Sequence, residues 1–142
     1  MNQLYIYNPS VINQLQYARK VYFIDTGFMT ALSTKFSKNM GRLFENLTFH
    51  KLASNNDVLY YYKDDKGNEV DFAILEDNRT SALYQVCFDL TDEETRSREV
   101  RSLIKAGATL NCRNLNLLTQ ELPDDLKLPQ EIKVVYAAEF FI

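Results

Sequence analysis

Glu69-Val70-Asp71-Phe72-Ala73-Ile74-Leu75 alternates side chains with the two-residue period of a half-buried strand, and its reading decides the fold. That period turns Val70, Phe72 and Ile74 one way and Glu69, Asp71 and Ala73 the other. The stretch from Ala82 to Leu90 repeats it, with Tyr84, Val86, Phe88 and Leu90 on one face and Leu83, Gln85, Cys87 and Asp89 on the other. Two neighbouring strands are thus expected to share an apolar face for a helix to cover and a more polar face.

Outward from this pair, Asp64-Asp65-Lys66-Gly67-Asn68 reads as a hairpin connection, with Gly67 available for positive φ, and Val58 to Tyr62 as the strand before it. From Gly41, Leu43, Phe44, Leu47, Phe49, Leu52 and Ala53 follow helical spacing around more than one face, so this helix should be largely buried. Val21-Tyr22-Phe23-Ile24 is a short apolar run closed by Asp25-Thr26-Gly27, a strand ending in a turn. On the other side, Thr91 as N-cap, Glu93 and Glu94 in the first turn and Gly107 after the last predict a helix from about Asp92 to Ala106. Its packing stripe is Val100, Leu103 and Ile104. Strands at Asn114–Thr119 and Ile132–Tyr136 follow. The order from Gly41 is αβββαβ plus a tail strand: an α/β fold with a mixed sheet flanked by helices. Residues 1–20 show no periodicity beyond one helical turn around Val11 to Leu15.

The 142 residues suit one domain, and 46% hydrophobic with 25% charged residues belongs to a chain that folds. No apolar run reaches the ~20 residues of a membrane helix, and the start lacks a signal peptide, so the expected location is the cytoplasm. Cys87 and Cys112 lack CxxC spacing and His50 is the sole histidine, so no zinc framework assembles and both thiols read as reduced. Charge is uneven: residues 1–56 carry six Lys/Arg against two Asp/Glu, and residues 57–142 carry ten against seventeen. Nucleic-acid contact would therefore run through Arg19, Lys20, Lys35, Lys38 and Arg42, a weak basic patch.

Glu45 on the first helix, Asp71 in the second strand and Gln85-Val86-Cys87 in the third, in this order of elements, resemble the PD-(D/E)XK nuclease superfamily, with its restriction-endonuclease-like fold. Lys20-Val21-Tyr22-Phe23-Ile24-Asp25-Thr26-Gly27, Gly41-Arg42-Leu43-Phe44-Glu45-Asn46 and Glu69-Val70-Asp71-Phe72 look more closely like the C-terminal domain of a prokaryotic AAA+ ATPase family, from about Arg19 onward. The resemblance implies residues 21–142 as the nuclease-like domain, and residues 1–20 as a linker or the end of a preceding winged-helix segment. It also implies an upstream AAA+ module that binds ATP. This chain has no GxxxxGK[ST] loop of its own.

In such nucleases the strand aspartate and the acid of ExK hold Mg²⁺, the lysine offsets charge at the attacked phosphate and the helix glutamate often completes the site. Mg²⁺ wants hard anionic oxygens, and phosphoryl chemistry needs positive charge where negative charge develops. Carried over by position, Glu45 and Asp71 keep their carboxylates, Gln85 stands where the acid belongs, and Cys87 where the lysine belongs. The expectation is a vestigial site of Glu45, Glu69, Asp71, Gln85 and Cys87, with little or no metal affinity at Glu45 and Asp71, no cofactor and no catalysis. Such a domain docks to its AAA+ module or to another protein. Two rivals remain: a Mg²⁺-dependent nuclease whose lysine has migrated, from Lys63 or Lys51, and a DNA-binding module without catalysis.

Plainer readings stand beside these. Glu69 and Asp71 suit any half-exposed strand, whereas Glu45 shares a stripe with Phe49 and Leu52 and needs a partner, such as Arg42 or the Glu69/Asp71 side. His50 reads as a packing histidine, Tyr60-Tyr61-Tyr62 as packing ahead of base stacking, and Arg96, Arg98 and Arg101, interleaved with glutamates, as a solvated helix face.

Overall fold

The computed structural model describes residues 1–24, 36–56, 58–124 and 126–142, without the side chains of 36–39. The turn expected at Asp25-Thr26-Gly27 lies outside the described residues. In chain order the elements are β1 (Asn2–Leu4), α1 (Val11–Gln16), β2 (Lys20–Tyr22), α2 (Phe36–Asn55), β3 (Leu59–Lys63), β4 (Glu69–Glu76), β5 (Arg79–Val86), α3 (Glu93–Thr109), β6 (Leu115–Thr119), β7 (Ile132–Tyr136) and α4 (Ala137–Phe140).

The five strands β3-β4-β5-β6-β7 lie side by side in sequence order. β3, β4 and β5 run antiparallel through hairpins, and β5, β6 and β7 run parallel. A parallel step requires a crossover, which α3 supplies between β5 and β6. The β4–β5 turn has Asp77 at φ 50° and Asn78 at φ 60°, the pair of left-handed residues that a tight two-residue hairpin demands. The mixed α/β architecture is the one the sequence predicts.

Both faces of the sheet are covered. Val70, Ala73 and Leu83 pack with Leu103 and Ala106 of α3, while Phe72, Ile74 and Ala82 pack with Phe49 and Leu52 of α2. The expected polar face is therefore a second core. Alternation also breaks: Tyr60 pairs with Ala73 but Tyr62 pairs with Val70, so Asp71 and Phe72 together oppose Tyr61 in a bulge. That extra residue sends Val70 to the α3 side, away from Phe72 and Ile74, and turns Asp71 to the α2 side. The expected common face of Val70, Phe72 and Ile74 is wrong at Val70, because strict alternation cannot foresee a bulge.

Helix α3 is capped by Asp92, whose side chain accepts from Thr95 N at 2.7 Å, rather than by Thr91. It runs past Gly107 to Thr109; a Cβ at Gly107 would stand 2.7 Å from Leu115 Cδ2 and 2.9 Å from the Cys112 carbonyl, so this glycine lets helix and strand approach closely. Leu103 is fully buried within the predicted stripe, flanked by the partly buried Val100 and Ile104. Residues 1–20, expected as a linker, pair β1 with β2 and bury Leu4 and Ile6 in the α2-side core. Tyr5 and Tyr7 continue along β3, with Tyr7 N donating to Tyr61 O at 2.7 Å and Tyr61 N to Tyr5 O at 3.0 Å.

Candidate functional site

The bulge in β4 aims Asp71 and Glu69 at Lys20, which enters from β2. Its ammonium nitrogen lies 2.9 Å from Asp71 Oδ1, 2.8 Å from Glu69 Oε1 and 3.1 Å from Glu45 Oε1, one contact from each carboxylate. Lys20 sits in β2 next to Tyr22 in the same side-chain register, so the pair point inward together while Val21 is left exposed. The Tyr22 hydroxyl donates to Glu45 Oε1 at 2.7 Å, and its ring stacks on Phe49 at 4.2 Å between centroids, 5° from parallel. Asn46, one residue beyond Glu45 on α2, binds the chain just after β2, accepting from Phe23 N at 2.8 Å and donating to Phe23 O at 2.9 Å. Helix α2 thus fixes both the lysine strand and the glutamate that meets it.

Asp71 is 8% exposed, and its second oxygen accepts from Val86 N at 2.9 Å. Burial raises its pKa from 3.8 to about 6; Lys20 opposes that rise and the nearby Glu45 adds to it. For Lys20, burial pulls the pKa down, but Asp71, Glu45 and Glu69 together outweigh it and hold the amine above its ordinary value, firmly charged. Tyr22 is pushed up, first by burial and then by Glu45, and stays a neutral donor. At its rim, Lys63 Nζ lies 3.7 Å from Glu69 Oε2.

Of the five residues predicted for a vestigial site, Glu45, Glu69 and Asp71 come together. Gln85 and Cys87 do not join them. Gln85 is buried on the α3 side, where its Nε2 donates to Glu99 Oε2, and Glu99 is held in turn by Arg98. The side-chain oxygen of Gln85 is buried with no hydrogen-bond partner. Cys87 packs against the α3-side core, and its thiol donates to Asp89 O at 3.1 Å. A lysine from outside the strand motif stands among the carboxylates: Lys20, assigned by sequence to a nucleic-acid patch, is consumed here. Of that patch, Arg19 is exposed, bonded to Gln3 and 4.8 Å above the Tyr5 ring, and Arg42 is exposed rather than bound to Glu45. Lys35 and the side chain of Lys38 lie outside the described residues. His50 accepts its packing role, with Nε2 2.6 Å from Phe23 O.

The oxygens do not fit Mg²⁺ while Lys20 is in place. Glu45 Oε1 serves Lys20 and Tyr22, Asp71 uses both oxygens and Glu69 Oε1 is taken, so a hard cation would have to displace an ammonium and strip existing hydrogen bonds. Among the described residues, no group of three His, Cys, Asp or Glu side chains is arranged to hold a metal. Nor does any helix of the described residues have the length and apolarity to cross a membrane.

Burial, then Glu99, pushes the Cys87 thiol up to about 11. Because the thiolate is the nucleophile, Cys87 should be alkylated by iodoacetamide far more slowly at pH 7.5 than an ordinary free cysteine, on the order of a hundredfold for about two pKa units. Mass spectrometry of the labelled peptide checks this; ordinary labelling at pH 7.5 would show that the thiol is neither buried nor next to Glu99.

No solved structure matches this chain significantly. An uncharacterised protein of Methanocaldococcus jannaschii, MJ1544, is 41% identical over 102 residues, which cover 69% of this chain and 22% of that protein. The chain therefore matches about a fifth of its relative's length. Residues 40–139, from the second turn of α2 through most of α4 and including Glu45, Glu69 and Asp71, match the family described as a domain of unknown function, DUF4143, and the chain belongs to that family.

Proposed function

We propose that this chain is a non-catalytic accessory domain with a degenerate PD-(D/E)XK-like site, carried by an AAA+ ATPase in the cytoplasm and docking to that ATPase module or to a partner protein. One observation carries the reading: the Lys20 ammonium occupies the centre of Glu45, Glu69 and Asp71 at 2.8–3.1 Å. A cation built into the chain satisfies the carboxylates that would otherwise recruit a metal. The acid and lysine of the strand motif are replaced by Gln85 and Cys87, which serve the opposite face. ATP, under this reading, belongs to the ATPase module, and the chain needs no cofactor of its own.

The proximity of Lys20 to Asp71, 2.9 Å, also favours a second reading, a Mg²⁺-dependent nuclease whose lysine has migrated to β2 rather than to Lys63 or Lys51. Plasmid and single-stranded DNA incubated with the protein and Mg²⁺ or Mn²⁺ separate the two. The accessory reading expects no nicking above buffer. Metal-dependent nicking lost in both Asp71→Ala and Lys20→Ala would overturn it in favour of the nuclease. Salt-sensitive DNA binding without cleavage would point instead to a nucleic-acid-binding module.

A further inference from the structure

Helix α1 is built inside out. Its apolar residues Val11, Ile12 and Leu15 are 66, 72 and 57% exposed, none of its residues is buried, and its polar Gln14 is the side chain turned inward, with Nε2 donating to Ile6 O at 2.7 Å. Positions i, i+1 and i+4 share one helix face, so three branched apolar side chains stand together in water. The segment that carries this face is itself uncharged: residues 1–18 contain no Asp, Glu, Lys, Arg or His. On the strand that follows, Val21 and, just beyond it, Ile24 are exposed as well. Exposed apolar groups scattered singly need no explanation, but an inverted helix without charges has the composition of an interface core.

We propose that the Val11, Ile12 and Leu15 face of α1 docks onto an apolar surface of another module of the same polypeptide. This rests on reading the chain as an accessory domain. Two considerations select a tethered partner over a second copy. A standard free interface engages roughly 20–30 residues a side, which three residues of α1, even with Val21 and Ile24, do not approach. Covalent linkage supplies an effective concentration near millimolar, at which so small a patch suffices. The relative also leaves room for such a module, since this chain covers only 22% of it. The absence of basic residues from α1 argues against a membrane surface, which would reward lysine and arginine on the polar face.

The test compares hydrogen exchange of the α1 amides in residues 1–142 and in the longer gene product that contains them. Exchange should slow by roughly tenfold or more in the longer protein. Ile12→Glu with Leu15→Glu should abolish that protection while leaving the thermal midpoint of residues 1–142 nearly unchanged, because both side chains lie mostly in solvent there. Leu15→Ser serves as a milder variant if the double change harms expression. Equal exchange at both lengths, protection that survives the double variant, or a gene product that ends with these residues would each overturn the proposal. So would a concentration-dependent dimer of residues 1–142 that the double variant splits, since the occupant would then be a second copy. DNA cleavage alongside α1 protection would sink the accessory reading and leave the docking surface standing.

Discussion

Lys20→Met is expected to destabilise the protein by about 3 kcal/mol at pH 7.5, among the larger effects of a single substitution. Removing one member of a buried ionic group leaves its partners uncompensated, and here three carboxylates share one cation. Side-chain exposures of 22% for Lys20, 12% for Asp71 and 28% for Glu45 keep most of the cluster from bulk screening, whereas Glu69, at 35%, is discounted. The loss should depend on pH in a definite direction. An acid whose folded pKa exceeds its unfolded value holds its proton more tightly when folded; its contribution is full below the unfolded value and is lost as pH rises through the folded one. Asp71, raised from 3.8 to about 6 by burial even with Lys20 beside it, already belongs to this class. Without the ammonium its pKa climbs further, so the gap between Lys20→Met and the unaltered protein should narrow from pH 7.5 down to pH 4.5. Urea denaturation at those two pH values measures it. Adding Asp71→Asn to Lys20→Met should recover part of the loss at pH 7.5, whereas Asp71→Asn alone should not stabilise to the same degree. A pH-independent gap would mean that Lys20 contributes by packing its stem rather than by charge.

Much of the architecture could be read from periodicity and turn chemistry. The β4 and β5 strands, the Asp64–Asn68 hairpin with Gly67 at positive φ and the buried stripe around Leu103 follow from local rules that tertiary packing did not overrule. The site was half legible. Glu45 and Asp71 were paired through their place in the order of elements, and they do meet. Lys20 was misassigned because a basic residue at the head of an apolar run looks like a surface charge. The available signal was the alternation Lys20-Val21-Tyr22, which, with Val21 outward, sends a cation and a phenol inward together. Gln85 was misplaced for a different reason: the bulge at Asp71 and Phe72 breaks the two-residue count, so Asp71 and Gln85, assigned to one face by alternation, serve opposite sides of the sheet. A bulge depends on how two strands twist against each other, and no short window of sequence carries that. The first 20 residues defeated periodicity because their buried members, Leu4 and Ile6, sit in short extended pieces, while their one helix points its apolar side outward.

The same geometry sets the expected result of trying to rebuild a nuclease motif with Gln85→Glu and Cys87→Lys. By sequence, the pair of changes would restore the missing acid and lysine, and the single change Cys87→Lys would achieve nothing. By structure, the pair should fail as well. Gln85 is 5% exposed and donates its amide to Glu99, itself 14% exposed and engaged by Arg98. Glutamate at this position would replace a donor with a second anion facing the first in a nearly dry pocket, which should cost about 3 kcal/mol at neutral pH. Lysine at position 87 would start from the α3-side core, where Glu99 acts on it first and Asp71 and Asp89 after it; it would relieve part of that cost, while Asp71 is already held by Lys20. The expected readouts are a lower urea midpoint for Gln85→Glu, partial recovery in the double variant and no nicking of plasmid DNA with Mg²⁺ or Mn²⁺ by either. Loss of one electrostatic group at a scissile phosphate typically costs ~10²–10³ in rate, so real restoration would be unmistakable. Cleavage by the double variant would show that side chains at positions 85 and 87 can swing to the Asp71 side of the sheet, and that the α3-side arrangement is one of two states rather than a fixed end point.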